Sequence, residues 1–272
     1  MLKAVMLERY YQILEEGQRF PGPLSATAFE QISAACQLHS GLRVLDLGCG
    51  GGEVLCRWAQ AYSLKGTGVD WRAERIAAAQ TCANELEVWP QVHFVESDIA
   101  SFPQDFHEFD CVICLAGSAA VGGLVELLDA MQRALRTGKG GYLLLGESFW
   151  QQPPTSHDCT RLGLAPDALL DLPALVDALL AMTGGDLLGV WLAEAADWDA
   201  YYGAQWQRAA QWLADHATDR DAPGLRAWLR QQQKSYFAFE RPLLGWGAFL
   251  IQVAGTQEAG SDEDGEGSPD WL

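Results

Sequence analysis

The sequence predicts an α/β fold built on a mostly parallel sheet, and three observations carry that prediction. Short apolar runs alternate with helix-compatible segments from residue 42 to residue 146. The first run, Leu42 to Leu47, breaks into four glycines within five residues, and a helical segment, Glu53 to Ala61, follows at once. Strand, tight turn and helix N-terminus in that order make the first β–α unit of a nucleotide-binding sheet. The third observation is an acid at or just past the end of each of the first three strands: Asp46, Asp70 and Asp98.

The glycine loop can be sorted by spacing. Gly48, Gly50 and Gly52 lack a Cβ, so the chain can turn sharply and a ligand can approach the backbone. A phosphate-binding loop needs a Gly-Lys-Ser/Thr ending, and no such lysine is present. A dinucleotide fingerprint starting at Gly48 and Gly50 meets Glu53 where its third glycine belongs. What remains is Asp46-x-Gly48-x-Gly50-x-Gly52, with Cys49 inside the turn. The second strand, Lys65 to Asp70, ends about twenty residues past the loop, where a carboxylate can accept hydrogen bonds from ribose hydroxyls. That chemistry suits NAD as well as other nucleosides. Trp71 follows and can press its indole against a base. Arg72 to Leu86 reads as an alanine-rich helix with Ile76 and Ala79 facing the sheet, and Val92 to Glu96 reads as the third strand, followed by Ser97, Asp98 and Ile99.

Apart from Asp110, Phe109 to Leu115 is apolar, as a central parallel strand should be. It runs into the small-residue loop Ala116 to Ala119, so Leu115 and Ala116 fall at the carboxyl edge where ligands sit in open sheets. A helix from Val121 to Leu135 and a fifth strand from Gly141 to Gly146 follow. Glu147 comes next, either a substrate ligand or base, or a carboxylate paired with a neighbouring cation. Residues 151–168 read as a loop in which His157 is a proton-transfer candidate. Leu169 to Met182 reads as a helix and Leu187 to Ala193 as the sixth strand.

From Ala195 to Arg241 the pattern changes to an aromatic-rich helical insertion. Trp198, Tyr202 and Trp206 recur every four residues and share one helix face, and Tyr201 and Tyr202 are candidates for contact with a substrate. Packing alone explains such a stripe equally well. Gly245 to Val253 closes the sheet. At the other end, residues 1–24 form a helical segment ended by Gly17 and Pro21-Gly22-Pro23, and Ser25 caps a second helix from Ala26 to about Leu38. Tyr10 and Arg19 are placed there either to cover a ligand or to pack a surface helix. The expected organisation is an N-terminal segment at 1–24, a main domain at 25–254 with its insertion at 195–241, and an acidic disordered tail at 255–272.

Of 272 residues, 49% are hydrophobic, enough for a large core, and the formal charge is −18. An acidic body disfavours nucleic acid, whose phosphates need clustered Lys and Arg. Seven scattered cysteines include Cys111-x-x-Cys114. On a strand those two side chains point to opposite faces, so neither a disulfide nor a shared metal suits them, and no metal site is expected. Reduced thiols and the lack of an apolar leader or of a run of about eighteen apolar residues point to a cytoplasmic protein that does not span a membrane.

Asp46 with its glycines, Asp70, and Asp98-Ile99, in that order and spacing, resemble class I S-adenosylmethionine-dependent methyltransferases, in particular bacterial small-molecule enzymes of the broad "type 11" kind. The resemblance spans about residues 25 to 193 and 245 to 254. It implies a Rossmann-like seven-stranded, mostly parallel sheet with helices on both faces and the last strand antiparallel. It implies further that Gly48 to Gly52 meet the methionine side of the cofactor, Asp70 the ribose, and Asp98 and Ile99 the adenine. The Asn/Asp-Pro-Pro-Tyr motif of DNA and protein N-methyltransferases is missing after the fourth strand. No single catalytic residue, acceptor or oligomeric state follows. The alternatives are a non-catalytic S-adenosylmethionine-binding protein and an NAD-dependent oxidoreductase. Calorimetry should therefore show binding of S-adenosylhomocysteine and no heat with NAD; heat with NAD alone would reverse the order of the readings.

Overall fold

The sheet grows outward from β1 (Arg43–Leu47), whose four residues after Arg43 are all buried. The computed structural model describes residues 2–255 apart from 21, 103–107, 116 and 137. Ala116 and nearly all of the acidic segment at 255–272 thus lie outside the described residues. After β1 come β2 (Lys65–Asp70), β3 (Val92–Glu96), β4 (Cys111–Cys114), β5 (Gly140–Trp150), β6 (Asp186–Leu192) and β7 (Leu244–Ala254). Their spatial order is β3-β2-β1-β4-β5-β7-β6. The pairs from β3 across to β5 are parallel, and β7 runs antiparallel to both β5 and β6. The chain steps from β1 outward to β3, then returns to place β4 on β1's other side. The carboxyl ends of β1 and β4 therefore flank the crevice where open sheets receive ligands.

The helices are α1 (Leu2–Glu15), α2 (Ala26–Ala35), α3 (Glu53–Tyr62), α4 (Ala73–Glu85), α5 (Leu124–Ala134), α6 (Ser156–Leu162), α7 (Leu172–Thr183), α8 (Ala195–Asp215) and α9 (Ala222–Ser235). Two cores follow from the alternation of strand side chains. On one face Cys111 and Ile113 join Ile32 of α2, Trp58 of α3 and Ala79 of α4. On the other, Val112 and Cys114 join Leu128 and Met131 of α5 and Leu179 of α7. A third, separate core holds α1 against α8 and α9 through Ile13, Leu14, Leu213 and Leu225.

Several boundaries differ from those expected, each for a local reason. The helix predicted from Val121 is split into a 3₁₀ turn at Ser118–Val121 and α5, because Gly122 and Gly123 intervene at φ 99° and 144°. Helix α2 stops at Ala35, with Gln37 at φ 48°. The predicted loop at 151–168 contains α6, opened by a capping box in which Thr155 and Asp158 satisfy each other's N–H groups. β5 runs past Gly146 to Trp150, because β7 pairs with it along its whole length. The segment 195–241 forms α8, α9 and a π-helical turn at Tyr236–Glu240. Asp199 of α8 accepts hydrogen bonds from Arg241 (2.8 Å) and Tyr236 (2.6 Å), which hold its carboxyl down to about 2.

Gly52 caps α3 at φ 72°, and a Cβ there would lie 2.7 Å from the Phe94 ring and 2.8 Å from the Ala79 methyl. Gly52 thus serves the packing of α3 and α4 on the sheet. Gly52→Ala should lower stability by about 1–3 kcal/mol through overpacking and backbone strain, measured by urea unfolding; an unchanged midpoint would show that the packing there is loose.

Candidate active site

The strand ends place a set of backbone and carboxylate groups at the crevice. Gly48, at φ 79°, turns the chain so that its own N–H and that of Cys49 both donate to the carbonyl of Val69 (2.8 and 2.9 Å). The next N–H, that of Gly50 at φ 52°, donates to Asp70 Oδ2 (3.0 Å), and Arg72 N–H donates to Asp70 Oδ1 (3.0 Å). One buried carboxylate thus ties the glycine loop to the start of α4, and each of its oxygens keeps a lone pair for another donor.

A strap from the end of α1 crosses this site. Arg72 Nη1 pairs with Glu15 Oε2 at 2.6 Å, and Arg75 Nη1 donates to the Glu15 carbonyl at 3.0 Å, a cation at the C-terminus of α1. Across the strap, Gln18 accepts from Gln205 (3.2 Å) and donates to Tyr201 Oη (3.3 Å). The space over Gly50 is correspondingly tight: a Cβ there would stand 2.9 Å from Arg75 Nη2.

Between strap, sheet edge and α8 lies a cleft of about 420 Å³. The half over β1, β2 and β3 is formed by Gly48, Gly50, Asp70, Trp71 and Ile99. Trp71 is 58% exposed and carries the Arg72 guanidinium 5.8 Å from its ring centre. The half over β4, β5 and β7 is formed by Leu115, Ser148, Trp246, Trp198, Tyr201 and Tyr202. Trp198 and Tyr202 stack at 5.9 Å and 13°. Tyr202 donates to Glu240 at 2.5 Å; burial beside that carboxylate drives the phenol pKa far up, and burial raises Glu240 as well.

Of the residues singled out in the sequence, Gly48, Gly50, Asp70, Trp71, Ile99, Leu115, Tyr201 and Tyr202 meet in this cleft. The others do not line it. Cys49 is buried against β2, where burial raises its thiol pKa well above the usual value. Asp98 is exposed and caps Ala100 N–H (2.8 Å). Tyr10 is buried in the α1–α8–α9 core, its ring 5.4 Å from Trp228. Arg19 is bound to Glu53 (2.7 Å), which it shares with Arg57 (2.5 Å). His157 packs beside Phe239 on α6. Glu147 accepts N–H bonds from Ser118 and Ser148, both 2.9 Å, so it pins the loop after β4 to β5. Trp198, Trp246, Ser148, Gln18, Arg72 and Arg75 were not picked out as site residues. They come from five distant stretches with no shared motif, and only folding brings them together.

Asp46 is the electrostatic anomaly. It lies buried beneath the loop, and no described residue donates a hydrogen bond to its carboxylate. Burial, with the Asp70 charge nearby, raises its pKa to about 7. A buried acid of that kind is set to ionise when a cation arrives beside it.

Comparison with known proteins agrees with this geometry. A family described as a methyltransferase domain matches residues 44–138. The solved structure of a SAM-dependent methyltransferase from Geobacter sulfurreducens, in complex with S-adenosyl-L-homocysteine, is 31% identical, with a TM-score of 0.82 over 89% of this chain and 97% of that one. A second, from Thiobacillus denitrificans and also with S-adenosyl-L-homocysteine, is 31% identical at a TM-score of 0.82, covering 90% and 98%. The uncharacterised protein YjhP of Escherichia coli is 31% identical over 247 residues, 90% of this chain and 98% of its own.

The Asp46 carboxyl makes the stability of the ligand-free protein pH-dependent with a definite sign. Its folded pKa, about 7, lies above its unfolded value, so stability falls as pH rises from about 4 to about 7 and levels off above that. Asp46→Asn should remove this loss and stabilise the protein at pH 8 by about 1–4 kcal/mol. Parallel urea curves at pH 5 and pH 8 measure it; equal changes at both would place the carboxyl's pKa near its ordinary value.

Proposed function

This chain belongs to the class I S-adenosylmethionine-dependent methyltransferases, and on that premise we propose that it methylates a small-molecule acceptor held in the aromatic half of the cleft. The observation that carries the reading is the Asp70 carboxylate, which holds Gly50 N–H and the start of α4 and still has acceptor capacity toward the cleft. The chain fits the cofactor on its own chemistry. Gly50 leaves backbone open where a side chain would collide with Arg75, Asp70 would take the ribose hydroxyls, and Trp71 and Ile99 would bracket the adenine. Asp46, buried and without a donor partner, would answer the positive charge of the cofactor.

When bound, the cofactor supplies an electrophilic methyl group on a sulfonium. What remains for the protein is alignment and the exclusion of water, which can account for much of the acceleration. Here the strap, with Gly22 and Pro23 against Trp246, would cover the reacting centre, and the stacked Trp198–Tyr202 wall would fix the acceptor's approach. A dedicated base is needed only for an acceptor that must lose its proton before attack. The cleft of about 420 Å³ and the −18 formal charge support a small molecule over a nucleic acid, and the reduced cysteines support a cytoplasmic setting. Among the described residues no helix is long and apolar enough to cross a membrane.

Asp70→Ala should weaken S-adenosylhomocysteine binding by about 1–3 kcal/mol, the scale of charge-assisted hydrogen bonds, and Gly50→Val should weaken it further. Titration calorimetry on both variants tests this, and wild-type affinity in both would put the cofactor elsewhere. Catalysis itself is tested by incubating the protein with methyl-labelled S-adenosylmethionine and a bacterial metabolite extract. Label should pass to a small molecule; cofactor binding without any transfer would favour the non-catalytic alternative.

A further inference from the structure

The acceptor half of the cleft carries more chemical information than the methyl transfer alone requires. Its lining consists of Leu115, Ser148, Trp198, Tyr201, Tyr202 and Trp246. None of these carries a charge at neutral pH, and four are aromatic. Trp198 is 7% exposed and Trp246 5%, so both rings are fixed from behind by the core and offer only part of their surface. The parallel stacking of Trp198 on Tyr202, with Tyr201 edge-on to both (89° and 78°), makes a rigid wall of ring faces and edges. Flat π-surfaces of this kind favour another ring over an aliphatic chain of equal area.

The charged groups around this half are already committed. Glu147 accepts two backbone N–H bonds, Glu240 accepts the Tyr202 hydroxyl, and Glu15 pairs with Arg72. Asp46 and Asp70 belong to the opposite half, beneath and beside the glycine loop. A cationic amine would therefore find ring faces but no free carboxylate on this side to replace its hydration. An anionic acceptor fares no better, since Arg72 Nη1 and both Nη groups of Arg75 hold the strap and the Nε of each arginine is buried. Polar capacity of another kind is left over. The Trp198 indole N–H is buried with no hydrogen-bond partner among the described residues, and no described residue bonds to the Ser148 hydroxyl. The Trp198 N–H has no accessible surface on which a ligand oxygen could sit, so the Ser148 hydroxyl is the polar group left open to a ligand in this half.

We propose that the methyl acceptor is a neutral, planar aromatic molecule carrying a hydroxyl or carbonyl oxygen, its ring against Trp198 and Tyr202 and its oxygen received by the Ser148 hydroxyl. The proposal rests on the methyltransferase reading of the same cleft. It also makes Trp198 and Ser148 specificity-determining residues, while Gly50 and Asp70 serve the cofactor.

The test uses three probes of similar bulk on the full-length protein saturated with S-adenosylhomocysteine: 2-naphthol, decahydro-2-naphthol and benzyltrimethylammonium. Titration calorimetry should show 2-naphthol binding about tenfold or more tightly than its saturated analogue, a difference of about 1.4 kcal/mol, with no measurable binding of the ammonium. Trp198→Phe and Ser148→Ala should each weaken 2-naphthol several-fold, with the melting temperature and an S-adenosylhomocysteine titration run in parallel to report the fold and the cofactor half. Equal binding of the two alcohols would overturn the requirement for an aromatic acceptor, and preferential binding of the ammonium would replace it with a cationic one. Failure of all three probes on the S-adenosylhomocysteine complex would overturn the proposal while leaving the methyltransferase reading intact. Failure to bind S-adenosylhomocysteine at all would remove both.

Discussion

The site depends on one carboxylate. Asp70 reaches back from the end of β2 to Gly50 N–H and forward to Arg72 N–H, both at 3.0 Å. The first bond fixes the glycine loop after β1; the second sets the first turn of α4, and with it the direction in which Arg72 and Arg75 leave the helix. Charge-assisted hydrogen bonds to a buried carboxylate are strong enough to hold such a geometry without a ligand. The half of the cleft over β1, β2 and β3 is in this sense organised before anything binds.

From that helix the two arginines carry the organisation outward to the strap. Arg75 meets the carbonyls of Glu15 and Gln18, and Arg72 meets the Glu15 carboxylate. On the far side Gln205 and Arg208 of α8 hold Gln18 and Leu14. The strap therefore joins two bodies: the sheet edge proposed to receive the cofactor, and the aromatic helices proposed to face the acceptor. Arg72 Nε and Arg75 Nε are buried and make no hydrogen bond among the described residues, although Arg72 Nε lies 3.8 Å from Asp70 Oδ1. These unmatched donors sit where the strap meets the cleft, so the strap is held by fewer bonds than its arginines can make.

The buried acids divide along the same line. Asp70 is satisfied by backbone donors, whereas Asp46, one strand away and equally buried, has none among the described residues and is pushed toward neutrality. Two carboxylates in one low-dielectric region cannot both carry full charge without a cation between them. A positively charged ligand beside Asp46 would relieve that conflict.

The sequence by itself determined the parallel sheet, its glycine loop and the acids at its strand ends, because these signals are local. A buried strand needs an apolar run, a sharp turn needs glycine, and both can be read within ten residues. The Trp198–Tyr202–Trp206 stripe was legible for the same reason, since helical spacing alone puts those rings on one face. Helix α6 was missed although its Thr155–Asp158 cap was visible, because one short polar helix has too few apolar residues to show a period. Only the tertiary structure decided which candidates share a cleft. Tyr10 and Arg19 stand near it in sequence, yet the α1–α8–α9 core claims one and Glu53 the other. Glu147 occupies a strand end like the cofactor acids, but the N–H groups of Ser118 and Ser148 engage it. Whether a polar side chain faces a ligand or a neighbour depends on partners brought from elsewhere in the chain, and no local pattern records them.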